Sequence, residues 1–153
     1  MSDWQEKCWG KTRKIVGTRH YSEHELVVMS GGYCSFHYHL NRSNIFVVPV
    51  SSSAIIRVVV AVGWSIKSRI VRAGESFEVM PMVPHQFQVL EYGVIYEEYI
   101  PKTGIVSDSD IVRLTIGGQV DLDDETFFRR DRAAVQIDNQ TRWEGKCKHL
   151  ISP

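Results

Sequence analysis

The chain has no surplus charge: 18 lysines and arginines stand against 18 aspartates and glutamates in 153 residues. Neutralising a phosphate backbone takes a basic excess, so the balance argues against a nucleic-acid partner. Long apolar runs are also missing. The longest, Val58-Val59-Val60-Ala61-Val62, is far below the roughly 20 residues that span a bilayer, so no membrane partner is expected. Cysteines are few: Cys8, Cys34 and Cys147 are odd in number, widely spaced and form no CxxC pair. That excludes a disulfide framework and fits a reducing compartment. Residues 1–7 lack the basic start and apolar centre of a signal peptide. A cytoplasmic protein is therefore expected. Helical periodicity is nearly absent, with a weak pattern at residues 124–136 alone.

What the chain does have is short β-prone runs separated by Gly and Pro. Strands are predicted at residues 25–29, 33–39, 44–50, 54–62, 65–71, 76–80, 86–90 and 94–100. Runs of this length and spacing indicate a sandwich or barrel. Residues 58–62 do not alternate, which predicts burial on both faces. The length suits one domain, with a barrel over about 8–117 and a charged extension over 118–153 that packs on the barrel or on a partner chain.

Within the run Gly32-Tyr33-Cys34-Ser35-Phe36-His37-Tyr38-His39 sits a His-x-His pair. Strand side chains alternate with a period of two, so His37 and His39 share a face. Two imidazoles on one face can share a metal ion. Pro84-His85, much further along, offers a third from another strand. Three imidazoles suit a divalent transition metal such as Zn, Fe or Ni. By the same period Cys34 faces away from His37. Adjacent Glu97 and Glu98 face opposite ways within Tyr96-Glu97-Glu98-Tyr99. One of them pointing inward provides a general base.

These residues resemble the cupin superfamily. Gly31-x5-His37-Tyr38-His39-x4-Asn44 follows its first motif, with Asn44 where a glutamate is usual. Gly74-x6-Pro81-x2-Pro84-His85 follows the second in outline. A closer resemblance is to the cupin domain of type II mannose-6-phosphate isomerases. It is carried by Cys8-Trp9-Gly10-Lys11, by Ser35-Phe36-His37-Tyr38-His39-Leu40-Asn41-Arg42-Ser43-Asn44-Ile45-Phe46, and by Val106-Ser107-Asp108-Ser109-Asp110-Ile111-Val112-Arg113.

The resemblance implies an all-β double-stranded β-helix, a jelly-roll barrel. It implies a metal set of His37, His39, Asn44 and His85, with Zn, Fe, Ni, Mn or Co as the ion. It implies a carbohydrate substrate, aldose–ketose isomerisation of a sugar phosphate, and a homodimer. Arg113, beside the barrel mouth, and Arg42, in the motif loop, would hold phosphate or hydroxyls, and Glu97 or Glu98 would move the proton. Losing the one anionic ligand at Asn44 keeps two other readings open. One is a three-His iron cupin of the dioxygenase type. The other is a cupin that binds a small ligand without catalysis.

Overall fold

The computed structural model describes residues 3–120, and among these every regular element is a β-strand. One sheet runs in the order β1 (Gln5–Lys7), β2 (Gly10–Gly17), β3 (Ser22–Val28), β11 (Gly93–Pro101), β6 (Arg42–Val47), β9 (Ser76–Val79). The other runs β12 (Val112–Arg113), β5 (His37–Tyr38), β10 (His85–Glu91), β4 (Gly32–Tyr33), β13 (Gly118–Gln119). Its far flank is completed by β7 (Ile55–Val62), which pairs with both β10 and β8 (Ser65–Val71). All pairings are antiparallel.

The inner faces of both sheets meet in one core. Leu26, Phe46 and Ile95 come from the first sheet; Ile56, Val58, Phe87 and Val89 come from the second. Trp9 closes one side, edge-on to Phe87 with ring centroids 5.1 Å apart. Gly10 is tied to this place twice over. Its φ of 144° suits glycine, and a Cβ there would run into the Val27 carbonyl.

Alternation grades the barrel from apolar to polar. The buried rungs of β6 read Phe46, Asn44, Arg42 toward its start. Those of β11 read Ile95, then Glu97. On β10 the inward residues Val89 and Phe87 give way to His85, and His85 pairs directly with His37 of β5. The polar ends of these three strands share one end of the barrel, and the site forms there.

The expected strand at 33–39 is broken in two. Phe36 turns its backbone out of the ladder: its N–H donates to Thr115 Oγ1 (2.8 Å), and its carbonyl accepts from Leu114 and Thr115. Strands β1 and β2 were not foreseen, because Lys11, Arg13 and Lys14 masked the β2 pattern. Val58, Val59 and Val60 are buried as expected, but Val62 is exposed where the strand runs into the Gly63 turn. Sheet pairing continues past residue 117 through β13. The rest of the expected extension, with the weak helical pattern at 124–136, lies outside the described residues.

Candidate metal centre

His37, His39 and His85 converge. Their candidate ligand atoms all lie within 4.8 Å of one another, a looser bound than the roughly 3–4 Å that bonds near 2.0–2.1 Å require. Ring centroids are 5.0 Å apart for His37 and His39, 4.6 Å for His37 and His85, and 5.3 Å for His39 and His85. All three are buried.

Each ring is held from behind by a backbone carbonyl. His37 Nδ1 lies 2.7 Å from Ser35 O, His39 Nδ1 lies 2.6 Å from Asp110 O, and His85 Nδ1 lies 2.9 Å from Val83 O. A carbonyl can only accept, so Nδ1 carries the hydrogen and Nε2 keeps its lone pair. Burial keeps the rings neutral. It pushes His37 well below the ordinary range, with the neighbouring His85 and His39 adding to the effect. It takes His39 down to about 3, with help from Arg42, and His85 to about 4. Neutral imidazoles anchored through Nδ1, with unprotonated Nε2 atoms, are what a metal ion requires. Among the described residues His39 Nε2 is buried without a hydrogen-bond partner, as a metal-ligating atom would be. The donor set fits a divalent transition metal.

Asn44 is fully buried beside this group. Its Nδ2 lies 3.0 Å from His85 Nε2 and donates to Glu97 Oε1 at 2.8 Å. The amide thus shows His85 its nitrogen, while Oδ1 is buried with no partner among the described residues. Glu97, inward on β11, is the acid at the site. Burial raises its pKa; the bonds from Asn44 and Tyr99 and the charge of Arg42 oppose that. Glu98 faces the other way, near Tyr21, and is not brought to the site.

A cavity of about 690 Å³ meets the group at His37 and is lined also by Glu97, Tyr99, Arg42 and Arg113. Arg42 is buried, donates to Ser107 O at 2.9 Å and stacks 3.8 Å from the Tyr99 ring centre. Arg113 sits opposite His37 in the β5–β12 register and is exposed. Cys34 also borders the cavity but stands outside the histidine group; its sulfur accepts the Phe87 N–H at 3.2 Å.

Two participants escaped the sequence reading. His24 borders the cavity from β3 and packs edge-on to Tyr99 at 5.1 Å. Burial, with the charge of Lys14, lowers its pKa to about 4. Asp110 supplies the carbonyl behind His39. A lone histidine in the charged run of β3, and a main-chain acceptor, leave no pattern in a sequence.

No protein-family model matches the chain, and no curated protein matches it. Among solved structures it is similar to Bacillus subtilis oxalate decarboxylase. A tryptophan-to-phenylalanine variant of that enzyme superposes with a TM-score of 0.61 at 13% identity, over 74% of this chain and 30% of that one. The same enzyme at pH 4.6 gives 0.61 and 13%, over 90% and 34%. A structure concerned with the enzyme's Mn(II) centres gives 0.60 and 14%, over 74% and 30%. The chain therefore spans about a third of the length of these neighbours. At this identity the likeness defines the fold, the cupin jelly roll. The protein thus has a cupin-type barrel fold, and its three-histidine group has a donor set that could hold a divalent transition metal.

Proposed function

We propose that the chain is a metal-dependent enzyme that moves a proton on a small anionic carbohydrate, in the simplest case interconverting an aldose and a ketose phosphate. The observation that carries this reading is Glu97: the one buried carboxylate among the described residues, joined through Asn44 to His85 and bordering a cavity large enough for a sugar phosphate. His37, His39 and His85 would hold the ion; Asn44, expected as a fourth ligand, turns its Nδ2 to His85 and Glu97 and would stand beside the ion rather than bind it. Such an ion supplies Lewis-acid polarisation of the substrate's carbonyl and hydroxyl oxygens.

Glu97 takes the proton from C2 of the aldose and returns it to C1, while the C2 hydroxyl proton passes to the carbonyl oxygen. Tyr99 and Asn44 hold the carboxylate during the transfer. The Arg113 side chain makes no hydrogen bond or ion pair among the described residues, so its guanidinium is available to a phosphate. Arg42 is already committed to Ser107 and Tyr99 and acts by holding that wall, with contact to substrate hydroxyls from its cavity side. The enzyme would work in the cytoplasm as a homodimer.

A second reading, an iron oxygenase, is favoured by one observation: the convergent group contains three imidazoles and no carboxylate. Elemental analysis of protein purified without added metal, followed by assays with mannose 6-phosphate and with oxygen uptake, separates the two. Zinc, manganese, cobalt or nickel with isomerase activity supports the first. Iron with substrate-dependent oxygen uptake supports the second. No metal and no turnover would leave a ligand-binding barrel and refute both.

A further inference from the structure

Beside the histidines, on the segment that leads into β12, stands Asp110. Its Oδ1 accepts the Leu40 N–H at 2.7 Å, and its Oδ2 accepts the Asn41 N–H at 2.9 Å. Its backbone oxygen accepts from His39 Nδ1 at 2.6 Å. One residue thereby grips three consecutive residues of the facing segment, including the ring of a candidate ligand. Two residues further on, β12 pairs with His37 and Tyr38, so the strap that carries Asp110 is aligned with the site from both sides.

We propose that Asp110 is a positioning residue for the metal centre. Its carboxylate fixes the backbone that follows His39. That keeps the Asp110 carbonyl in reach of His39 Nδ1, and the ring then presents Nε2 toward His37 and His85. The assignment rests on the metal reading above. Carboxylate-to-amide bonds are charge-assisted and short, and partners that orient a ligating imidazole typically change metal affinity by about 10- to 100-fold when lost. Asp110→Asn keeps the shape but turns one acceptor into an N–H facing a backbone N–H. One bond is lost and two donors oppose each other.

The same strap contains an internal control. Asp108 accepts from Lys14 Nζ at 2.8 and 3.1 Å, tying the strap to β2 without touching a histidine of the group. The test uses the full chain and Co(II) as probe, with affinity read by competition against a chelator and geometry read from the visible absorption bands. Asp110→Asn and Asp110→Ala are expected to weaken Co(II) binding about 10- to 100-fold and to shift the bands, and Asp108→Asn to match wild type. Wild-type affinity and bands in Asp110→Asn would overturn the assignment. So would equal losses in Asp108→Asn and Asp110→Asn, which would mean general loosening of the strap. A wild-type chain that binds no Co(II) would instead refute the metal reading, and this assignment with it.

Discussion

Replacing Asn44 by glutamate places a second acid against Glu97. In the native protein Asn44 Nδ2 lies 2.8 Å from Glu97 Oε1, and the two residues are 0% and 8% exposed. Two unit charges about 3 Å apart repel by roughly 5–6 kcal/mol at an effective dielectric of about 20. Keeping a proton on one of them at about pH 7.5, some three units above an ordinary glutamate, costs about 4 kcal/mol. The smaller cost wins, so the metal-free variant holds one proton between the two acids. It should be less stable than wild type by up to about 4 kcal/mol at about pH 7.5, and the deficit should shrink by about 1.4 kcal/mol per unit as pH falls toward the ordinary carboxylate range. A dication displaces that proton and recovers its cost. Zinc affinity should therefore rise by up to about a thousand-fold. Urea unfolding with chelator present, repeated across pH, measures the first effect. Zinc titration against a competing dye measures the second. Adding Glu97→Gln should remove the pH dependence. Wild-type zinc affinity in Asn44→Glu, or metal-free stability with the wild-type pH profile, would refute the arrangement of the two acids.

His85→Ala removes one of three ligands and should leave the purified protein without metal by elemental analysis, while wild type retains it. The imidazoles should also make the metal-free protein acid-sensitive. His85, with a folded pKa of about 4 against an ordinary 6.5, is neutral when folded and takes a proton when unfolded. Its contribution is therefore fully present above pH 6.5 and is lost as pH falls from there toward about 4, at up to about 1.4 kcal/mol per unit for each such group. Chemical denaturation of His85→Ala should show a shallower slope than wild type over that window. Glu97→Gln should retain metal but lose about 10²- to 10⁴-fold in turnover, the usual worth of a positioned base; full turnover would assign the proton transfer elsewhere. Light scattering should report about twice the 17.5 kDa chain mass, and a monomer at micromolar concentration would contradict the dimer.

The barrel and its histidines were legible because both are written in periodicities and spacings. Alternation along β6 and β11 is local, so the inward face of Glu97 could be reduced to one of two residues, and two-residue spacing put His37 and His39 together. What was not legible depends on contacts across the chain. The choice between Glu97 and Glu98 is settled by the register of β11 against β3 and β6. The orientation of the Asn44 amide depends on Glu97, 53 residues away. The strand expected over 33–39 fails because Phe36 finds better partners near Thr115. Strand β2 hid because its cations cover a half-buried ribbon, and their long side chains read as surface charge.

Strand β5 is two residues long and meets β10 through a single aligned pair, His37 with His85. So brief a strand is secured by little backbone bonding. An ion shared by its first residue, by His39 just beyond it, and by the start of β10 would act as a clip, joining segments far apart in sequence and stabilising the folded arrangement over the unfolded chain, which lacks the site. This wall of the barrel would then owe its shape to coordination more than to β-forming side chains. Its exposed neighbour Leu40 would be free to vary in ways that the buried residues of β7 or β11 are not.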